Sequence, residues 1–260
     1  MDKKKRYLSQ MDMAEENKKK CIIVVPVHKE HLSDDEKASL IQLRKVLGEK
    51  YDVSLVCPKS LDVAEYLNIW QIEKALRIDR YDDKNFVSWL AYGKFMTLPE
   101  IYKKYQKDYE YMLVYQLDGW VFRDELQEWC DKGYDYIGGL EFDVPNMMYN
   151  RLFYNGGVSL RKISAMLKYI KKNSDEFLRD RYWDDRYFSR NYNNVLNTAP
   201  GYEAVLFCLD QFPSQFYSET RKIPCFAHAW KRYNYDFWKQ VINPDENVQD
   251  ITNGDTNGNE

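Results

Sequence analysis

Residues 111–120 read Tyr-Met-Leu-Val-Tyr-Gln-Leu-Asp-Gly-Trp. An apolar run rich in β-branched and aromatic residues closes on Gln116, and Asp118-Gly119 follows at once. Such a run is the pattern of a strand covered on both faces. In open α/β sheets, ligands bind beyond the carboxyl ends of the strands. An acidic side chain delivered there can hold a divalent metal, and the metal can hold a diphosphate. Taken alone, Asp-Gly is equally an ordinary turn. The flanking sequence has to decide.

Upstream, Cys21–Val27 is a second continuous apolar run, broken by Pro26, as expected for a central strand near its end. Ser33-Asp34-Asp35-Glu36 is a capping box. Leu40, Leu43 and Leu47 then recur at helical spacing, with Gly48 as a stop. Val53–Cys57 is a further short strand ended by Pro58. Strand, helix and strand imply a parallel pair with a right-handed crossover. No Gly-rich loop follows Val27, which argues against a dinucleotide site and a P-loop.

Downstream of these, Ser88–Phe95 and Pro99–Lys107 read as helices, the second with proline in its first turn. Asp124–Asp131 is a helix with Gly133 just past its end, and Tyr134–Gly138 is a short strand. Asn155-Gly156-Gly157 precedes Val158-Ser159-Leu160 and a helix to about Asn173. The expected fold class is α/β. A mixed, mostly parallel central sheet is flanked by helices in a single domain, with late antiparallel additions.

The folded part is expected over 21–242. Residues 1–20 read as a charged N-terminal extension and 243–260 as a disordered polar tail rich in Asn, Asp and Gly. The lysine clusters of the extension are solvated charge runs with the chemistry to touch an anionic membrane surface. A net charge of −3 supplies no basic field for nucleic acid. The 5 cysteines are scattered, with no CxxC pair, so neither a zinc cluster nor a redox motif is encoded. That usage, and a charged N-terminus without an apolar signal core, fit a cytoplasmic protein. Tyr and Trp, 22 and 7 in number, suit a core that opens onto polar ligands such as sugars.

Four polar spots carry the chemistry: Gln116-Leu117-Asp118, Asn155-Gly156-Gly157, Trp183-Asp184-Asp185 and His228-Ala229-Trp230. Each has a plain structural reading. Asn-Gly-Gly makes turns. Paired Asp after an aromatic suits a helix N-terminus. A lone histidine such as His228 is commonly buried and hydrogen-bonded.

In their order, the segments VVPVHKEHLS, SLVCPKSLD, YMLVYQLDGWVFRDELQEWCDKGYDYIGG, NGGVSLRK, WDDRYFS and CFAHAWKRYNYDFWK resemble a bacterial glycosyltransferase-like family, long labelled as a domain of unknown function. Its fold is similar to the GT-A type of nucleotide-sugar transferase, and the resemblance covers about 21–242. It implies a transferase that moves a sugar from a nucleoside-diphosphate-sugar to a glycan, lipid-linked glycan or protein hydroxyl, in surface-polysaccharide assembly. It also implies Mn²⁺ or Mg²⁺ as cofactor. Gln116-Leu117-Asp118 then stands at the DxD motif, with Asp118 as metal ligand and Gln116 in place of the first Asp. His228 matches a late metal ligand. Asn155, Gly156 and Gly157 match the Gly-rich segment beside the donor sugar. Asp184 and Asp185 match the catalytic carboxylates, Asp185 as general base of an inverting reaction. Lys94 matches a basic residue for the diphosphate, and Pro26, Val27 and His28 end the strand where the base rests. Two other functions fit the same residues: a sugar nucleotidyltransferase, and a non-catalytic carbohydrate- or partner-binding module.

Overall fold

The computed structural model describes residues 18–72, 74, 76–142, 153–173, 183–191 and 194–242. Most of the expected extension and all of the expected tail lie outside this set. The first strand begins at Lys19, inside the expected extension.

Among the described residues, nine strands form two sheets. The larger is built from β1 (Lys19–Pro26), β2 (Asp52–Pro58), β3 (Arg77–Tyr81), β4 (Tyr109–Tyr115), β6 (Tyr136–Glu141) and β7 (Phe153–Lys162), in the order β3-β2-β1-β4-β7-β6. Strands β3, β2, β1 and β4 run parallel; β7 is antiparallel to both β4 and β6. The mostly parallel sheet with a late antiparallel strand is the expected one. Ile22 to Val25 and Met112 to Tyr115 are inaccessible, because helices cover both faces. Burying each such aliphatic side chain contributes about 1.5–3 kcal/mol.

Helix α1 (Asp34–Leu43) carries the capping box of the sequence: Ser33 Oγ accepts from the Glu36 amide and Glu36 returns the bond to the Ser33 amide. It runs on as a π-turn through Gly48. Helix α2 (Ala64–Trp70) leads to β3, and α3 (Trp89–Met96) and α4 (Pro99–Tyr105) lead to β4. Then follow α5 (Leu126–Asp131), α6 (Ile163–Lys172), α7 (Asp184–Arg190), α8 (Gly201–Phe207), α9 (Pro213–Thr220) and α10 (Tyr235–Ile242).

Strand β3 is absent from the sequence reading. Its residues, RIDRY, carry three charges, and its buried Asp79 points into the protein. That carboxylate accepts from Ser54 and Tyr105, each at 2.6 Å, and pairs with Lys104 at 2.9 Å. Burial pushes the Asp79 carboxyl up, but these partners outweigh it and hold it below the usual carboxylate range.

The smaller sheet, β5-β9-β8, uses strands of two residues each: β5 (Trp120–Val121), β8 (Cys208–Leu209) and β9 (Phe226–Ala227). All five cysteines are free and buried.

Candidate active site

The small sheet assembles the site. β8 and β9 are parallel, with Leu209 opposite Ala227, so the next residues of each, Asp210 and His228, emerge side by side. β5 pairs antiparallel with β9, Trp120 opposite Ala227, which brings the loop before β5 to the same place. That loop holds Asp118. His228 Nδ1 lies 2.9 Å from Asp210 Oδ2 and Nε2 lies 3.2 Å from Asp118 Oδ1. Asp210 and His228 are buried, while the Asp118 side chain keeps 55% of its surface exposed. Burial favours the neutral ring of His228, yet the Asp210 and Asp118 charges outweigh it and hold its pKa well above the usual histidine value. Burial likewise raises the Asp118 carboxyl, and the contact with His228 more than reverses this.

Close packing fixes the loop. Gly119 donates its amide to the Gln116 carbonyl at 2.9 Å, and a Cβ there would lie 2.8 Å from Val158 Cγ2. Ser39 of α1 donates to the Gly119 carbonyl at 2.7 Å. The Gln116 amide nitrogen donates to the Gly157 carbonyl at 2.8 Å, and its side chain reaches the Tyr92 hydroxyl at 3.3 Å.

Asn155-Gly156-Gly157 is not a turn before a strand: it lies inside β7, whose first half projects past the end of β4. Successive strand residues face opposite ways. A methyl on Gly157 would collide with His228 Nε2 and fall 2.8 Å from Gln116 Oε1. A methyl on Gly156 would fall 2.9 Å from Asp184 Oδ2 and 3.1 Å from Arg161. Two adjacent glycines thus admit two polar clusters, one on each side of the strand. The Asn155 side chain accepts the Gly157 amide at 2.7 Å.

The second cluster is built on Arg161, which is fully buried. Its guanidinium donates to Asp184 at 2.5 Å, to the Tyr102 hydroxyl at 3.0 Å and to the Gly156 carbonyl at 3.2 Å. Asp184 is therefore engaged with Arg161. Asp185, next along α7, accepts only its neighbour's amide among the described residues, at 2.6 Å. Burial, then the charges of Asp184 and Glu141, push its carboxyl up to about 7. Trp183, ahead of both, packs on Trp89 of α3 with ring centroids 4.3 Å apart.

A cleft of about 500 Å³ opens beside Asp118. Pro26, Val27 and His28 line it from the end of β1, Phe86, Trp89 and Tyr92 from the region of α3, and Gln116, Leu117 and Asp118 from the end of β4. Lys94 does not line it; the side chain is exposed on α3. Of the residues singled out in the sequence, Pro26, Val27, His28, Gln116 and Asp118 meet in the cleft. Gly157 and His228 touch the lining residues Gln116 and Asp118, and Asn155 bonds the Gly157 amide. Gly156, Asp184 and Asp185 form the cluster across β7.

Sequence reasoning missed Asp210 and Arg161. Asp210 had a signal, since Val-Leu-Phe-Cys-Leu-Asp repeats the apolar-run-then-carboxylate pattern of Asp118. Arg161 had none, because an Arg-Lys pair closing a strand reads as surface.

The residues fit a divalent ion. His228 Nε2 is buried and makes no hydrogen bond among the described residues, although it faces Asp118. An imidazole whose other nitrogen rests on a carboxylate is the usual support of a metal-binding histidine. Imidazole with carboxylate suits a borderline or hard divalent cation. The set is sparse: no group of three or more such side chains with metal-holding geometry occurs among the described residues.

The fold is that of the GT-A-type glycosyltransferases. The galactosyltransferase LgtC, in complex with donor and acceptor sugar analogs, is 14% identical over 80% of this chain and 86% of its own, with a TM-score of 0.56. Mouse xyloside xylosyltransferase 1, in its apo form, is 12% identical over 81% and 97%, at 0.53. Core-mannan synthase A from Aspergillus fumigatus, in an Mn/GDP form, is 10% identical over 66% and 69%, at 0.50. At these identities the likeness is one of fold. Residues 75–228 match the family described as protein of unknown function DUF5672, and the chain belongs to that family. No curated protein matches it.

Proposed function

We propose that the chain is a metal-assisted glycosyltransferase acting on a nucleoside-diphosphate-sugar, with a hydroxyl of a glycan, lipid-linked glycan or protein as acceptor. One observation carries the reading. A buried histidine, backed by Asp210, turns its Nε2 toward Asp118, 3.2 Å away, where Asp118 borders an aromatic cleft. The fold neighbours support it, since one is described with Mn and GDP and another with donor and acceptor sugar analogs.

In this reading the nucleoside lies between the end of β1 and the aromatic side chains near α3. Asp118 and His228 would hold Mn²⁺ or Mg²⁺. When bound, the ion offsets charge on the departing diphosphate. Gly157 leaves room for the His228 ring and the Gln116 side chain against β7. Asp185 takes the proton of the attacking hydroxyl; a base with a pKa near neutrality suits that task. Direct displacement of this kind inverts the anomeric centre.

The test is melting temperature with UDP, GDP and CMP, each with and without Mn²⁺. A metal-dependent rise with one nucleotide is expected, and Asp118→Asn should abolish its metal-dependent part. Silence with all three overturns the reading and favours a non-catalytic binding module. Retained configuration in the product, read by NMR, would refute the role given to Asp185.

A further inference from the structure

Charge in the cleft is out of balance for the ligand proposed above. A divalent ion offsets the charge on the diphosphate of a nucleotide-sugar but leaves the carboxylates of the cleft unbalanced. Two carboxylates, Glu36 and Asp118, line the cleft, and among the described residues Lys29 is the only lysine or arginine that does. Lys94, the basic residue suggested by resemblance, lies outside it.

Lys29 is held in place from both ends. Its carbonyl accepts the Tyr66 hydroxyl at 2.6 Å, which fixes the backbone where β1 gives way to the loop. Its ammonium meets Glu36 Oε1 at 2.7 Å. Glu36 cannot swing away, because its other oxygen accepts the Ser33 amide at 2.8 Å in the capping box of α1. An ammonium has three N–H donors. Glu36 takes one, and half of the Lys29 side-chain surface stays open.

We propose that Lys29 is a diphosphate-binding residue, presented to the cleft by the capping glutamate of α1. Its free N–H donors take oxygens of the diphosphate of a nucleotide-sugar lying in the cleft beside Asp118. This rests on the reading of the cleft as a nucleotide-sugar site. Lys29 also stands outside the stretch that defines the family match, residues 75–228.

Calorimetry separates the possibilities. Wild-type protein with Mn²⁺ is titrated with UDP, GDP and CDP, and the tightest binder is carried forward with the matching nucleoside. Lys29→Met should weaken diphosphate binding about tenfold or more, as for loss of a charge-assisted hydrogen bond. Nucleoside binding, followed by NMR titration, should stay within twofold. Lys29→Arg should recover part of the loss, and Lys94→Met should change neither. Unchanged diphosphate affinity in Lys29→Met, with wild type binding well, overturns the inference and leaves the glycosyltransferase reading standing. Equal loss of nucleoside and diphosphate overturns it too, since the residue would then serve the base or the loop. Failure of wild type to bind any of the three removes both.

Discussion

Gly157 leaves no room for a side chain. A Cβ there would collide with His228 Nε2 and fall 2.8 Å from Gln116 Oε1. Gly157→Ala has to displace the ring or the strand. Overpacking of this kind costs about 1–3 kcal/mol. The cost should be visible in urea denaturation, while metal-dependent nucleotide binding disappears in calorimetry. Normal binding would mean that His228 does not need its present position. Asp185 calls for a different measurement. If it acts as a base, it acts as the carboxylate, so kcat should rise with pH through about 7. Asp185→Asn should flatten that profile and lower kcat about 10²–10⁴-fold with little change in donor affinity. Stability moves the opposite way. The folded protein keeps the Asp185 proton well above the ordinary value near 3.8, so the contribution is full below that value and is lost as pH rises through about 7.

At the level of elements, β7 and α7 are joined by the buried Arg161–Asp184 ion pair and by Ser189, whose hydroxyl accepts the Tyr154 amide at 2.8 Å. Removing one partner of a buried ion pair leaves an uncompensated charge and typically costs about 3–5 kcal/mol. Asp184→Ala should therefore unfold far more easily than Asp185→Ala, as read from denaturant midpoints. Equal and small losses would show that Asp184 is free for chemistry. The elements differ in how far the chain announces them. Strand β4 is legible because both of its faces are covered, so the run is apolar throughout, and α1 is legible because Ser33 and Glu36 stand at capping spacing. Strand β3 is hidden by its charges, whose partners Ser54, Tyr105 and Lys104 come from other segments. The two-residue strands β5, β8 and β9 are too short to announce themselves, being defined by one another. Asp118 could be read from its own strand, whereas the same pattern at Asp210 met its partner His228 only when β8 was laid against β9.

Across the whole molecule, the two sheets divide the labour. The large sheet supplies the rigid frame and the ends of β1 and β4. The small one gathers Asp118, Asp210 and His228 from positions far apart in the chain. No helix among the described residues is long and apolar enough to cross a membrane.

The buried cysteines turn this division into something that can be timed. Cys21 and Cys57 sit in β1 and β2, Cys208 begins β8, and Cys225 immediately precedes β9. A thiol shielded in the native fold is alkylated only when its surroundings open. Iodoacetamide labelling, resolved by peptide mass spectrometry, therefore reports the opening of each sheet separately. A ligand held at the small sheet should slow labelling of Cys208 and Cys225 by the factor 1 + [L]/Kd when the opened form does not bind it. Cys21 and Cys57 should keep their rates if the frame opens on its own. One common slowing of all of them would instead show that frame and site open together, as a single cooperative unit.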